Sequence, residues 1–250
     1  MNALSIQNVT KRFGGLFAVR DVYMDIPIGE RHALIGPNGA GKTTLFNLIA
    51  GDLLPTDGEI HVFENNVTRM PPHRRVKFGL RRTYQTSALF DQLSVAQNLF
   101  LGVIGPQSKT HLDMFNIAEN DKQNMERVHE ICKSVRLDDR LDAKASDLSH
   151  GERRQLEIGL ALAYEPRLIM LDEPAAGLSI DERNIVMSLL NAMERDITLL
   201  LIEHDMEVAL NIGEHVTVLH EGQIIAEGTP AEISNNALVQ SVYLGETHHD

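Results

Sequence analysis

Gly36-Pro37-Asn38-Gly39-Ala40-Gly41-Lys42-Thr43 is the stretch that decides the fold class of this 250-residue chain. It follows G-x-x-x-x-G-K-[ST], a loop that wraps the phosphates of a nucleotide. Ahead of it, Arg31 to Ile35 reads as a short buried strand. Behind it, Thr44 to Ala50 carries apolar residues at helical spacing and stops at Gly51. Gly36, Gly39 and Gly41 let the backbone bend so that its N–H groups face phosphate oxygens, and the positive end of the new helix adds to that field. Lys42 can reach the β- and γ-phosphates, and the Thr43 hydroxyl suits Mg²⁺. The plain alternative is a glycine turn before an ordinary helix. A strand, a lysine and a threonine all in register argue against it. The stretch predicts a nucleoside triphosphate site.

Composition narrows the field further. The chain is 43% hydrophobic and 23% charged, ordinary for a globular protein. Its length allows one sizeable α/β domain with an inserted subdomain. No apolar run approaches the roughly 18 residues that span a bilayer, so membrane contact is expected through a partner. A net charge of −12 argues against nucleic acid as the main ligand. The local exception is the basic stretch Arg69 to Arg82, which reads as a solvated helix face, with an acidic partner or phospholipid headgroups as the alternative. The single cysteine, Cys132, excludes an internal disulfide, fits a reducing compartment and is expected to pack a helix. His248 and His249 read as a frayed tail.

Along the chain, Val9 to Ile28 alternates polar and apolar residues around Gly14-Gly15, as strands joined by a turn would, and Gly58 to Phe63 adds another strand. From Ser94 to about Tyr164 the spacing turns helical, interrupted by a polar loop over 105–121. Then come a buried strand at Leu168 to Leu171, a helix from Asp181 to Arg195, a strand from Ile197 to Ile202, a helix from Met206 to Ile212 and two short strands up to Ala226. Strands alternating with helices predict a largely parallel sheet covered on both faces, with the middle helical block inserted into it.

Two further segments carry chemistry. Leu168-Ile169-Met170-Leu171-Asp172-Glu173-Pro174 is an apolar strand that ends in two carboxylates. At the C-terminal tip of such a strand Asp172 stands beside the glycine loop and can hold Mg²⁺, while Glu173, one residue on, points to the opposite face and can polarise an attacking water. An Asp-Glu pair that merely ends a strand is the alternative. Leu148-Ser149-His150-Gly151-Glu152 opens a helix, with Ser149 as N-cap and Glu152 completing a capping box. By itself it could be no more than a helix start.

Taken in order, these residues resemble the nucleotide-binding subunits of ATP-binding-cassette (ABC) transporters. The resemblance runs over nearly the whole chain, through the phosphate loop, Thr83-Tyr84-Gln85, Leu148 to Glu152, Leu171 to Pro174 and Ile202-Glu203-His204-Asp205. It is nearest to the larger ATPase subunit of branched-chain amino acid importers, through Arg12 to Leu16, Pro174 to Leu178, Glu203 to Met206 and the stretch from Glu227 to Glu246. Importers of urea, amides or aromatic acids are similar too. The implied fold is a P-loop NTPase core of α/β class, with a mixed, largely parallel sheet, an antiparallel β subdomain and an inserted helical subdomain. The implied boundaries are 1–85 and 165–228 for the core, 86–164 for the helical subdomain and 229–250 for a C-terminal helical extension.

The resemblance also implies roles. Phe13 would stack on adenine and Val19 would lie by the ribose. Gly36, Pro37, Asn38, Gly39, Ala40, Gly41, Lys42, Thr43 and Thr44 would wrap the phosphates of ATP. Thr43, Gln85 and Asp172 would serve Mg²⁺. Ser149 and Gly151, with Glu152, would contact the γ-phosphate held by an opposite subunit. His204 would hold the γ-phosphate and orient the water for Glu173. Two residues depart from the usual pattern: His150 stands where glycine is widespread and is expected to turn away from the nucleotide, and Ser179 stands where aspartate or asparagine is common.

The expected mechanism is a head-to-tail pair of ATPase subunits, two like copies or two different ones. The phosphate loop and the Ser149–Gly151 segment are expected on different lobes, too far apart to enclose one ATP alone. Transmembrane permease subunits and, indirectly, a solute-binding protein would complete the assembly, placing the chain in the cytoplasm on the inner face of the membrane. The competing readings are an ABC-type clamp of DNA repair or chromosome organisation and a nucleotide-binding regulator without turnover. The first wants long heptads or cysteine pairs that this chain lacks; the second lacks a base or a switch histidine, and here Glu173 and His204 are both present.

Overall fold

A computed structural model of the chain describes residues 1–83, 89–105 and 122–245. Gln85, nearly all of the 105–121 loop, and His248 with His249 lie outside the described residues. The chain divides into two compact units. One comprises Met1–Arg82, Arg167–Glu173 and Met193–Asp250; the other comprises Thr83–Pro166 and Pro174–Ala192. The helical unit therefore takes in Pro174–Ala192, which the boundaries implied by the resemblance assign to the core.

The first unit opens with an antiparallel hairpin, β1 (Asn2–Phe13) and β2 (Leu16–Pro27), turning at Gly14-Gly15. β3 (Arg31–Ile35) is buried along its whole length and feeds the phosphate loop, which runs into α1 (Lys42–Ala50). β4 (Asp57–Val62) and β5 (Asn65–Asn66) complete a four-stranded antiparallel sheet in the order β2-β1-β4-β5. α2 (Pro72–Arg75) and β6 (Leu80–Arg82) end this run.

The second unit is helical: α3 (Val95–Ile104), α4 (Lys122–Ser134), α5 (His150–Ala163) and α6 (Ile180–Ala192). Ser94 and Ser149 open α3 and α5 with full capping boxes, closed by Gln97 and Glu152. Gly159 lets α5 come close to its neighbours, since a Cβ there would lie 3.1 Å from Leu99 of α3 and 3.4 Å from Ile131 of α4. Cys132 is buried on α4, where its thiol donates to the Leu137 carbonyl at 3.0 Å, and burial pushes its pKa up to about 11. It is a packing residue, inert as a nucleophile.

The first unit resumes with β7 (Leu168–Asp172), β8 (Thr198–Glu203), α7 (Met206–Ile212), β9 (His215–His220) and β10 (Gln223–Gly228). These strands join β3 and β6 in a six-stranded sheet of order β10-β9-β3-β8-β7-β6. Every pairing in it is parallel except β10 with β9. α8 (Pro230–Ser234) and α9 (Ala237–Gly245) follow. Leu45, Phe46, Leu48 and Ile49 of α1 share one core with Leu4, Ile6 and Val22 of the small sheet and Leu34, Met170 and Leu200 of the large one. Each such fully buried side chain contributes on the order of 2 kcal/mol, so the helix behind the phosphate loop is fixed by both sheets.

The basic stretch corrects the sequence reading. Arg69, Arg74 and Lys77 are exposed, but Arg75 is completely buried. Its guanidinium donates to the carbonyls of Leu48 at 2.7 Å, Ile49 at 2.6 Å, Met70 at 2.8 Å and Thr68 at 3.2 Å. A cation placed on the last carbonyls of α1 satisfies acceptors that the helix cannot satisfy itself and sits at the negative end of its dipole.

Candidate active site

The phosphate loop takes its shape from two close approaches. At Gly41, with φ of +102°, a Cβ would lie 2.3 Å from the Ala18 carbonyl oxygen. At Gly36 a Cβ would lie 2.1 Å from the Leu219 carbonyl oxygen. Neither position can take a side chain while the loop stays pressed against β2 and the end of β9. The Lys42 ammonium is buried and donates to the Gly36 and Pro37 carbonyls at 2.5 and 2.9 Å, which draws it back over the loop.

Around this loop is a cleft of about 650 Å³, within the range of small-ligand sites. Asn38, Gly39, Ala40, Gly41, Lys42, Thr43 and Thr44 form its floor, and Glu173 and Glu221 border it. Its remaining wall is Gly15, Leu16, Phe17 and Ala18. Phe13 and Val19, the residues that the resemblance placed at adenine and ribose, are absent from that wall. Phe13 lies nearby with its ring under the Lys11 ammonium at 5.0 Å. Val19 is wholly buried and belongs to the hydrophobic core. Phe17 presents a half-exposed ring instead, flanked by the guanidinium groups of Arg12 and Arg20 at 6.0 and 5.4 Å.

β7 delivers the two carboxylates differently. Asp172 is buried, and its Oδ2 lies 3.5 Å from Nη2 of Arg82. Arg82 Nη1 donates in turn to Asn47 and Asp52, both at 2.6 Å, and its guanidinium stacks 4.6 Å from the Phe46 ring. Asp172 is thus held by a strut rooted at the end of α1. Glu173 stands beyond the strand in the left-handed region, with φ of 46°, and its N–H donates to the Ile202 carbonyl at 2.9 Å. That backbone turn brings its carboxylate into the cleft. His204, just past β8, places Nδ1 3.4 Å from Glu173 Oε1. Asp205 caps α7 behind it by accepting from the N–H of Glu207 at 2.9 Å. A carboxylate and an imidazole in contact at the mouth of a phosphate loop can orient a water and stabilise charge on a transferring phosphoryl group.

Thr43 lines the cleft, and Asp172, buried at the end of β7 one residue before the cleft-lining Glu173, offers a second hard oxygen donor. No group of three or more His, Cys, Asp or Glu side chains is set to hold a metal among the described residues. A hydroxyl and a carboxylate are the hard oxygen ligands that Mg²⁺ takes.

In the helical unit Ser149 accepts from the Glu152 N–H at 3.2 Å, and Glu152 accepts from the Ser149 N–H at 2.8 Å and from Arg140 Nε at 2.9 Å. One oxygen of Glu152 holds the helix start and the other pairs with Arg140. The His150 ring faces Gly177, where a Cβ would lie 3.4 Å from Nε2. Sequence reasoning missed Phe17, Ala18 and Glu221 in the cleft and Glu182 in the helical unit, whose carboxylate meets both Ser149 and Gly151.

Residues 19–176 match the ABC transporter family. The chain belongs to that family. Residues 223–249 of this ABC protein also match the branched-chain amino acid ATP-binding cassette transporter family. It is 35% identical to the high-affinity branched-chain amino acid transport ATP-binding protein BraF of Pseudomonas aeruginosa, over 97% of this chain and 98% of that one. It is 36% identical to LivG of Salmonella typhimurium, described in the same words, with the same shares covered. A solved ATP-binding cassette of an ABC transporter in its ADP conformation superposes with a TM-score of 0.85, at 32% identity, covering 98% of this chain and 99% of the other. The ABC protein is therefore a nucleotide-binding ATPase with the expected P-loop fold. The readings as a DNA-repair or chromosome clamp and as a regulator without turnover fall, because transport ATPases match it from end to end. No helix among the described residues is long and apolar enough to cross a membrane.

Proposed function

We propose that this ABC ATPase drives an importer of branched-chain amino acids or of a related small polar solute, as one of two ATPase subunits docked on transmembrane permease subunits at the inner face of the membrane. A solute-binding protein would deliver the cargo. The importer assignment is supported by the match of residues 223–249 and by the names of the relatives. The catalytic assignment is carried by one observation, the contact of Glu173 with His204 at the edge of the cleft that the phosphate loop floors.

In this reading ATP lies on the loop of one subunit and is closed over by Ser149 and Gly151 of the other. Lys42 leaves its own loop carbonyls for the β- and γ-phosphates. Glu173 polarises the attacking water as general base, and His204 orients that water and holds the γ-phosphate. Thr43, Gln85 and Asp172 would hold Mg²⁺, which when bound neutralises phosphate charge. The strut through Arg82 keeps the Asp172 carboxylate turned to one place. Phe17 and Ala18 take the base and ribose side of the cleft. Two subunits clamped on ATP exclude water from the site, and hydrolysis lets them part.

Substituting Glu173→Gln keeps the shape and removes the base. ATP affinity should stay within a few-fold, turnover should fall by roughly a hundredfold or more, and ATP should trap a dimer in sedimentation velocity. Unchanged turnover would remove Glu173 from the role of base.

A further inference from the structure

Glu182, on the first turn of α6, is held at both oxygens. Its Oε2 accepts from the Ser179 N–H at 3.1 Å and from the Ser179 hydroxyl at 2.9 Å, which caps α6. Its Oε1 reaches over to the start of α5 and accepts from the Gly151 N–H at 2.9 Å and the Ser149 hydroxyl at 3.2 Å. One carboxylate therefore bridges the beginnings of two helices. The Gly151 N–H first, then the N–H and hydroxyl of Ser179, hold its pKa down to about 2, so it is an anion at any physiological pH. Glycine is required at 151 for this approach, since a Cβ there would lie 2.6 Å from Glu182 Cγ and 2.8 Å from Oε1.

Ser149 and Gly151 are the donors assigned above to the γ-phosphate of the opposite subunit, so the inference rests on that reading. Oε1 occupies both of them. A hydroxyl hydrogen and a backbone N–H cannot serve a carboxylate and a phosphate at once, and two anions on the same donors repel. We propose that Glu182 is a built-in occupant of this anion seat, that the incoming γ-phosphate must displace its Oε1, and that Glu182 thereby sets the ATP concentration at which two subunits close. The displacement costs no helix cap, because Oε2 can stay on Ser179 while the carboxylate swings. It also ties the seat to the turn that ends at Ser179: filling the seat frees the arm that fixes Ser179 to α5. A side chain that merely capped two helices would have no reason to oppose ATP.

The test uses the full-length chain carrying Glu173→Gln, with dimer formation followed by sedimentation velocity against ATP concentration. Adding Glu182→Gln, which is isosteric and uncharged, should lower the half-dimerisation concentration by threefold or more, and Glu182→Ala should move it the same way. Asp181→Asn, an equal charge change on the neighbouring exposed residue, should leave it in place. Melting temperatures without nucleotide certify that each variant is folded. A folded Glu182→Gln protein whose half-point is unchanged or raised overturns the inference, as does an equal shift from Asp181→Asn. A parent protein that stays monomeric at saturating ATP overturns the shared-nucleotide reading itself, and this inference with it.

Discussion

Glu173 is one of the few residues without a glycine's freedom that stands in the left-handed region, at φ of 46°, and it does so at the edge of the nucleotide cleft. Regular strand geometry would have carried its side chain away along the alternation of β7. The turn at Glu173 instead brings the carboxylate to His204. That conformation costs an L-residue about 1 kcal/mol relative to glycine. Strain kept at a position proposed to be catalytic is expected where the surroundings over-determine it. Glu173→Gly should accordingly be more stable than Glu173→Ala by about 1 kcal/mol in urea unfolding, with both equally inactive. Equal stabilities would mean that the backbone relaxes once the carboxylate is gone. The placement of Asp172 and Glu173 at the end of β7 was legible because a buried strand ending in two acids is a local pattern. It could not place Phe17, Ala18 and Val19, because β1 and β2 pair with register shifts at Val9, Lys11 and Arg12. Past such bulges a position carried over from a family resemblance, as Phe13 and Val19 were, no longer tells which side chain faces the cleft.

α1 is a short helix fixed at both ends. It starts from the left-handed Gly41 and stops at the left-handed Gly51, whose N–H donates to the Asn47 carbonyl at 3.0 Å. Both glycines were readable as punctuation of a helix. The Arg75 cap was not, because its partners on α1 are 26 and 27 residues earlier in the chain and nothing local marks one of the six basic residues in the stretch as the buried one. The helical unit has the same asymmetry: the Ser149–Glu152 capping box is a four-residue pattern, while the Glu182 bridge to Gly151 spans 31 residues. Arg75→Ala strands several buried carbonyls and should cost on the order of 3 kcal/mol in urea unfolding, with Arg75→Lys restoring only part because an ammonium lacks the planar fork. A loss under about 1 kcal/mol would show that water reaches those carbonyls and that the guanidinium is dispensable.

At the scale of the whole molecule, two compact units divide the labour that the proposed cycle requires. The phosphate loop, Asp172, Glu173 and His204 all lie in the unit that holds both sheets; Ser149, Gly151 and Glu182 lie in the helical one. In that proposed cycle a nucleotide without a γ-phosphate has partners in the first set only. ADP added to the isolated chain should therefore slow amide hydrogen exchange across the phosphate loop and α1 while leaving the start of α5 at its nucleotide-free rate. ATP added to the Glu173→Gln protein should slow exchange in both places, and at α5 only at protein concentrations where the dimer forms, since the protecting γ-phosphate comes from the other subunit. The concentration dependence separates this from an indirect effect carried inside one chain, which would protect α5 equally at any dilution. Slowed exchange at Gly151 in dilute, monomeric protein with ATP would count against a site shared between subunits and in favour of one chain enclosing its own nucleotide.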